Sequence, residues 1–188
     1  MTTKFWSDNT FEPKRKYRYT VDLGGTEIAS HLIKKVDKPS WTSDNFEHKF
    51  LNHTFKYPGR IQWDDISLAL VDADEPHTSK KLYNILKNSG YPLPDGTTDG
   101  TDLDVTQATE TTTGKRDATA QLGVVKIHQY SGQGGGITGS PTETWTLHNA
   151  FIKDCKFGDL DYESEDLVEI TLTLSYDWAV LITTGGTE

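Results

Sequence analysis

Residues 168–178 read VEITLTLSYDW, with apolar and polar side chains alternating along the whole stretch. A period of two residues is typical of a β-strand with one dry and one wet face, because a helix would scatter the apolar residues around its axis. The apolar positions are Val168, Ile170, Leu172, Leu174, Tyr176 and Trp178. The polar positions are Glu169, Thr171, Thr173, Ser175 and Asp177. This stretch therefore predicts a strand that contributes to the core of a β-sheet protein.

Two stretches nearer the N-terminus show the same alternation. Residues 17–23 carry four apolar side chains at alternate positions, and residues 61–71 place several on one face. Both patterns predict strands with one buried side. Gly24 and Gly25 then permit a tight hairpin from the first strand into residues 26–36.

Residues 124–130 and 142–151 predict two further strands. The Gly-rich residues 131–136 between them predict a flexible hairpin tip. Residues 151–157 are expected to extend the sheet before an acidic turn at residues 159–166.

One helix is predicted after residue 77. Thr78 or Ser79 serves as its N-terminal cap, and Gly90 followed by Pro92 ends it. The apolar stripe of this helix consists of Leu82, Ile85 and Leu86.

The remaining long segment, residues 94–119, is rich in Thr, Asp and Gly and predicts an exposed loop or insertion. The 188 residues suit a single domain spanning 1–188, with residues 1–15 and 179–188 as terminal arms. The abundance of Thr and aromatic residues also favours strands. We therefore expect a mainly β protein, an antiparallel β-sandwich or partly closed barrel with one α-helix.

The formal net charge of −9 argues against a surface that binds the phosphate groups of nucleic acids. Its distribution is uneven, since residues 1–60 carry about +4 and the rest about −13. Such a split could bring subunits together head to tail, although charged surface loops would produce the same numbers.

A single cysteine, Cys155, excludes an internal disulfide framework. The N-terminal residues 1–11 lack the order of a signal peptide, and no apolar run is long enough to cross a membrane. We therefore expect assembly in a reducing cytoplasm and no membrane insertion of the subunit.

The candidate binding motifs are weak. The Gly-rich residues 132–139 lack the Gly-Lys-Ser/Thr ending of a phosphate loop. The acidic stretches 99–104 and 159–166 lack the spacing of a calcium-binding EF-hand. His48 and His53 stand five residues apart without further ligand partners, which makes a poor zinc pair. We expect neither a cofactor nor a metal.

The candidate catalytic groups are equally weak. Cys155 has no basic neighbour or helix start beside it, so it is interpreted as a small buried hydrophobe. Glu163 and Glu165 could form an acid–base pair, but nothing in the sequence supplies a pocket that separates their pKa values. We therefore expect that the protein is not an enzyme.

Taken in order, the elements resemble the tail tube proteins of T4-type contractile-tailed bacteriophages, which are related in fold to the tube proteins of contractile injection systems. The match begins with the long excursion 41–57 and the following residues 58–68. It continues with the acidic turn 72–77 before the helix and with residues 124–130. It ends with residues 158–162 and the alternating strand 168–178. The resemblance covers most of residues 16–178 and depends on the order of elements, without one diagnostic motif.

The resemblance implies a virion subunit that self-assembles into homohexameric rings. The rings would stack into a tube inside a contractile tail, with strands of six neighbours lining a β-barrel channel. DNA ejection would occur through this channel without specific binding. The implied partners are further copies, the tail sheath, the baseplate and the tail terminator, and the particle would be assembled in the host cytoplasm.

Two sets of residues are expected to carry the assembly. The polar face of the strand, Glu169, Thr171, Thr173, Ser175 and Asp177, would face a water-filled lumen that repels phosphate. Clustered aromatic side chains in residues 39–57 would form the contact between rings. These are Trp41, Phe46, Phe50, Phe55 and Tyr57.

Other functions share parts of these patterns. The tube protein of a bacterial contractile injection or secretion system, or a baseplate protein that initiates the tube, would have the same fold. A carbohydrate-binding β-sandwich is a more distant alternative, with Trp6, Trp63 and Trp145 as candidates for its stacking platform.

Overall fold

The computed structural model describes residues 14–24, 28–75, 77–91, 112–131, 140–163 and 165–183. Within these ranges the chain is mainly β, with ten antiparallel strands and two α-helices. The predicted fold class is confirmed as a β-sandwich, and the described strands do not close into a barrel.

Two four-stranded sheets, here called sheet A and sheet B, enclose one hydrophobic core. Every pairing in them is antiparallel. Sheet A has the order β1 (Tyr19–Leu23), β6 (Val125–Gln129), β7 (Glu143–His148), β10 (Trp178–Thr183). Sheet B has the order β2 (Ile33–Val36), β5 (Ile66–Val71), β9 (Glu169–Ser175), β8 (Phe151–Lys156).

The alternating stretch forms the centre of this core. Three leucine and isoleucine side chains of β9 are fully buried and lie opposite three equally buried residues of β5. The facing pairs are Ile170–Leu70, Leu172–Leu68 and Leu174–Ile66. Fully burying each such side chain contributes about 1.5–3 kcal/mol.

The strand is shorter than the alternation predicts. β9 ends at Ser175, Tyr176 is still buried, and the chain then turns into β10 of sheet A. The prediction of one continuous strand 168–178 followed by a terminal arm 179–188 is therefore wrong for residues 176–183. Residues 179–183 pair with β7, because the chain crosses between the two layers of the sandwich.

The predicted hairpin after Gly24 is also wrong. β1 pairs with β6 in sheet A, whereas β2 pairs with β5 in sheet B. The Oη atom of Tyr19 instead joins the two layers by donating towards the carbonyl oxygens of Ile33 and Lys34, at 3.1 and 2.7 Å.

The β6–β7 pairing confirms the hairpin predicted from residues 124–151, while its tip, residues 132–139, lies outside the described residues. β8 extends sheet B and not the sheet of that hairpin. The change of layer occurs at Asn149, whose φ of 56° reverses the chain direction. Asn is one of the few residues that adopt this conformation readily.

The predicted helix is present as α1 (Thr78–Asn88), but its cap differs from the prediction. His77 occupies the N-cap position, and the Asp72 carboxylate accepts hydrogen bonds from the Ser79 backbone N and Oγ at 3.3 and 2.6 Å. Leu82 and Ile85 are buried as predicted, whereas Leu86 is exposed. A glycine, Gly90 with φ of 96°, follows the helix as expected.

A second helix, α2 (Lys115–Leu122), begins inside the segment predicted as a loop. Its sequence is polar, and only Leu122 is buried, so no apolar stripe reveals it. Residues 94–111 of the predicted loop lie outside the described residues. Neither α1 nor α2 has the length and apolarity needed to cross a membrane, and the same holds throughout the described ranges.

Glu143, at the start of β7, is a buried carboxylate that ties three segments together. It accepts hydrogen bonds from Lys38 Nζ at 2.7 Å and from Trp145 Nε1 at 2.6 Å, and it also pairs with Lys14. Burial raises the pKa of this carboxyl, but the three donors outweigh burial and lower the pKa to about 2.

We predict that Glu143→Gln lowers the free energy of unfolding by about 1–3 kcal/mol at pH 7. Because the folded-state pKa is depressed, the contribution of the carboxylate is complete above about pH 4.5 and is lost as the pH falls towards 2. Urea unfolding across this pH range should therefore show the difference from the parent protein shrinking with acid. A difference that is the same at every pH, or matched by the exposed control Glu47→Gln, would contradict the assignment.

Candidate assembly surfaces

A two-stranded ribbon, here called the arm, stands apart from both sheets. It consists of β3 (Trp41–Phe50) and β4 (His53–Trp63), which pair only with each other among the described strands. Nearly every residue of the arm is exposed. A ten-residue strand spans about 33 Å, and an isolated hairpin is only marginally stable in water. The arm is therefore a segment whose stability would rise on contact with a partner.

The distal half of the arm has one aromatic face. Residues that pair directly across two antiparallel strands share a face, and alternate positions along a strand return to it. The pairs Phe46–Tyr57, His48–Phe55 and Phe50–His53 therefore place six rings on one side. The opposite side carries the pairs Glu47–Lys56 and Lys49–Thr54. The ribbon is thus amphipathic, but its aromatic face meets no core.

A β-bulge separates this distal half from the root of the arm. The register shifts between Ser43 and Asn45, next to Gly59. A Cβ atom at Gly59 would lie 2.7 Å from the carbonyl oxygen of Asp44, so only glycine allows the strands to approach here. Bulges increase local twist, and the root pair Trp41–Trp63 lies on the other side of this irregularity.

The five predicted inter-ring residues therefore divide into two groups. Phe46, Phe50, Phe55 and Tyr57 share the aromatic face, whereas Trp41 lies at the root. All five are exposed by half or more of their surface, and their role between rings stays a prediction. Sequence reasoning missed His48 and His53 as members of the face, because only the strand register shows that they alternate with the phenylalanines.

The tip of the arm is conformationally strained. Leu51 has φ of 51°, a left-handed conformation that costs a non-glycine residue about 1–2 kcal/mol. Its side chain is also 87% exposed. An apolar side chain held in a strained, solvent-exposed position is a candidate contact residue.

The predicted lumen residues lie on two elements. Glu169, Thr171, Thr173 and Ser175 alternate with the buried residues of β9 and so share the outward face of sheet B. Asp177 lies beyond the end of β9, where its carboxylate accepts hydrogen bonds from Lys115 Nζ and Asn149 Nδ2 at 2.7 Å. These hydrogen bonds lower the pKa of Asp177, so its charge is largely neutralised by Lys115.

Strand β10 presents an apolar edge. Among the described strands it is the last of sheet A, and it pairs there with β7 alone. Trp178, Val180, Leu181 and Ile182 are each exposed by 40% or more, and the strand carries no charge. An uncharged apolar edge strand is a ready template for pairing with another chain.

An acidic groove of about 1280 Å³ lies at the connection between β8 and β9. Its apolar lining includes Phe157, Leu160 and Leu167, which are all exposed. Asp159, Asp161 and Asp166 also line it. Gly158, with φ of 83°, starts the connection, and a Cβ atom there would lie 2.7 Å from the carbonyl oxygen of Glu169.

The chemical candidates are one thiol and two glutamates. Burial raises the pKa of the Cys155 thiol to about 11, so it is protonated near neutral pH. Glu163 and Glu165 are exposed, and residues 99–104 lie outside the described residues. Within the described ranges, no group of three or more His, Cys, Asp or Glu side chains is arranged to hold a metal ion.

The tryptophans proposed for carbohydrate stacking are also dispersed. Trp63 and Trp145 are partly buried and pack against the core. The Trp63 ring lies 6.0 Å from that of Tyr176, and Trp145 donates to Glu143. Trp6 lies outside the described residues.

No protein-family model and no curated protein matches this sequence. Solved structures with the same fold do exist. The chain is similar to one in the cryo-EM structure of the anti-feeding prophage (AFP) tube terminating cap, with a TM-score of 0.63, 16% identity and 92% coverage of both chains. It is also similar to a chain of the PVC sheath-tube complex of an extracellular contractile injection system in its extended state. There the TM-score is 0.61 and the identity 18%, with 92% of this chain and 93% of the other covered.

A third similar chain belongs to the 6-fold symmetrised AFP baseplate, with a TM-score of 0.60, 15% identity and coverage of 92% and 97%. Because all three identities are below 20%, these likenesses establish the fold. The resemblance is thus confirmed only as far as a fold that chains of contractile injection systems share. The narrower assignment to the T4-type tail tube stays a prediction.

We predict that Leu51→Gly leaves the free energy of unfolding unchanged or slightly raised, because glycine relieves the left-handed strain. The same change removes an exposed apolar side chain and should weaken self-association by about tenfold, roughly the effect of losing 1.4 kcal/mol. Sedimentation velocity across a concentration series measures this. Asn52→Gly, in the same turn, is the matched control and should associate like the parent. Equal association of all three proteins would exclude the tip as a contact.

Proposed function

We propose that this protein is a structural subunit of the tube of a contractile injection machine and that it assembles with copies of itself into stacked rings. The proposal depends on one observation. The subunit has a sandwich core of its own and, in addition, large apolar surfaces that are exposed and lie outside this core. Those surfaces are the aromatic face of the arm and the β10 edge. A monomeric protein rarely exposes so much clustered apolar surface without a partner.

The fold likenesses support the same class of assembly. The similar chains come from structures described as a tube terminating cap, a sheath-tube complex and a 6-fold symmetrised baseplate. By analogy, we propose homohexameric rings whose partners are the sheath, the baseplate and a terminator. The particle is either a phage tail within a virion or an extracellular injection system.

Within a ring, we propose that the β10 edge pairs with a strand of the neighbouring copy. Its outer backbone groups have no strand partner within the described ranges, and its apolar side chains would be buried on contact. The outward face of β9 then lines the channel with Thr173 and Ser175, while Thr171 lies where this face meets the acidic groove. These hydroxyl groups are uncharged and Glu169 is paired with Lys34, so the face offers DNA or another anionic cargo no unpaired positive charge from these residues.

A catalytic role has little support from the geometry. The thiol of Cys155 is protonated, and the described carboxylates are exposed or are held in ion pairs and hydrogen bonds. We accordingly propose that the protein acts through its shape and its contacts, and that DNA ejection, in a phage tail, uses the channel alone.

Electron microscopy of the purified chain at rising concentration tests this function. We expect rings of six copies that stack into tubes of variable length. Rings that never stack would instead indicate a tube initiator or terminator. A protein that stays monomeric at its highest soluble concentration, and binds an immobilised polysaccharide, would overturn the proposal in favour of the carbohydrate-binding alternative.

The ring joint makes its own prediction. Ile182→Lys places a charge on the exposed edge of β10 and should reduce ring formation at least about tenfold, because a buried unpaired charge opposes strand pairing. Circular dichroism should show an unchanged fold. The control Leu86→Lys introduces the same charge on the exposed face of α1 and should form rings normally. Normal rings from Ile182→Lys would show that β10 is not the joint.

A further inference from the structure

The arm and the acidic groove lie at opposite ends of sheet B. The arm ends at Trp63, directly before β5 begins at Ile66, and the Trp63 ring lies beside Tyr176 just past the end of β9. The groove is built on the other end, where Glu169 begins β9 and faces Val71 at the end of β5. The six residues of β5 separate the two features by about 20 Å.

The two surfaces match in shape and chemistry. The arm offers a projecting row of six rings, and the open groove, of about 1280 Å³, offers exposed apolar side chains among polar ones. Burial of aromatic rings is a strong source of interface energy.

Their charges are complementary as well. The back of the arm carries Lys49 and Lys56 against one acidic residue, Glu47, so this face has a net positive charge. The rim of the groove carries Asp159, Asp161 and Asp166. Opposite charges at an interface rim set orientation and suppress incorrect pairings.

We propose that the aromatic face of the arm of one copy docks into the acidic groove of a second copy in the next ring. The contact is heterologous, because the donor and the receiver are different surfaces at opposite ends of the same subunit. Such head-to-tail contacts do not close on themselves when the copies are translated along an axis, so they generate open stacks with a fixed polarity. This inference rests on the proposed function and identifies the receiving surface for the arm.

Cross-linking of two differently labelled proteins tests the pairing directly. Both proteins carry Cys155→Ser; one adds Phe50→Cys and the other adds Leu160→Cys. After mild oxidation of the mixture we expect heterodimers at least about tenfold in excess over either homodimer, because the effective concentration at a docked contact greatly exceeds that in solution. Tyr83→Cys on α1 replaces Leu160→Cys in the control, which should give only background cross-linking.

A charge exchange gives an independent measurement that does not depend on cysteine reactivity. Lys49→Glu with Lys56→Glu should reduce stacking about tenfold at low salt, since like charges then face each other. Adding Asp159→Lys and Asp161→Lys to the same chain should restore it. Stacking is counted by electron microscopy as rings per assembly, with circular dichroism confirming the fold of each variant.

The possible outcomes distinguish a failure of the arm–groove contact from a failure of the proposed tube function. Tubes that form without the Phe50–Leu160 cross-link, and without rescue by the exchanged charges, would overturn the arm–groove contact while leaving the tube function intact. Arm variants that stack normally but lose a sheath protein would assign the arm to the sheath and overturn the inference as well. Absence of rings in the parent protein would instead remove the proposed function.

Discussion

The apolar contact between β5 and β9 is the constraint on which the rest of the structure depends. Leu68 and Leu172 face each other across these strands with no exposed surface, and β9 is flanked by β8 on its other side. Since both central strands of sheet B are saturated with backbone partners, they fix the positions of everything attached to their ends. The arm, the groove and the crossing into β10 all begin at those ends.

A complete core also explains why the remaining apolar residues are exposed. The buried cluster draws on both sheets and both helices, and it includes none of the rings of the arm's aromatic face and none of the exposed side chains of β10. Burial of the same surface between copies would be favourable at about 25 cal/mol per Å². Stability of the subunit and capacity for assembly thus depend on separate sets of side chains.

Prediction from sequence succeeded where one physical signal dominated. The period of two in residues 168–175 and the stripe of Leu82 and Ile85 both reflect burial against a single neighbouring layer. It failed where local pattern and tertiary context compete. α2 is a polar helix that buries only Leu122. β1 pairs with β6 and not with the strand that follows it, because β1 joins the layer in which Val21 and Leu23 are buried.

The sequence by itself determined the class of fold, the identity of the central strands and the aromatic content of the arm. These follow from periodicity and composition, which are local properties of the chain. Only the tertiary structure decided that six rings share one face, that residues 178–183 form an open edge, and that the arm and the acidic groove occupy opposite ends of one sheet. Those facts depend on strand register and on which layer each strand joins, and both are set by contacts between residues far apart in the chain.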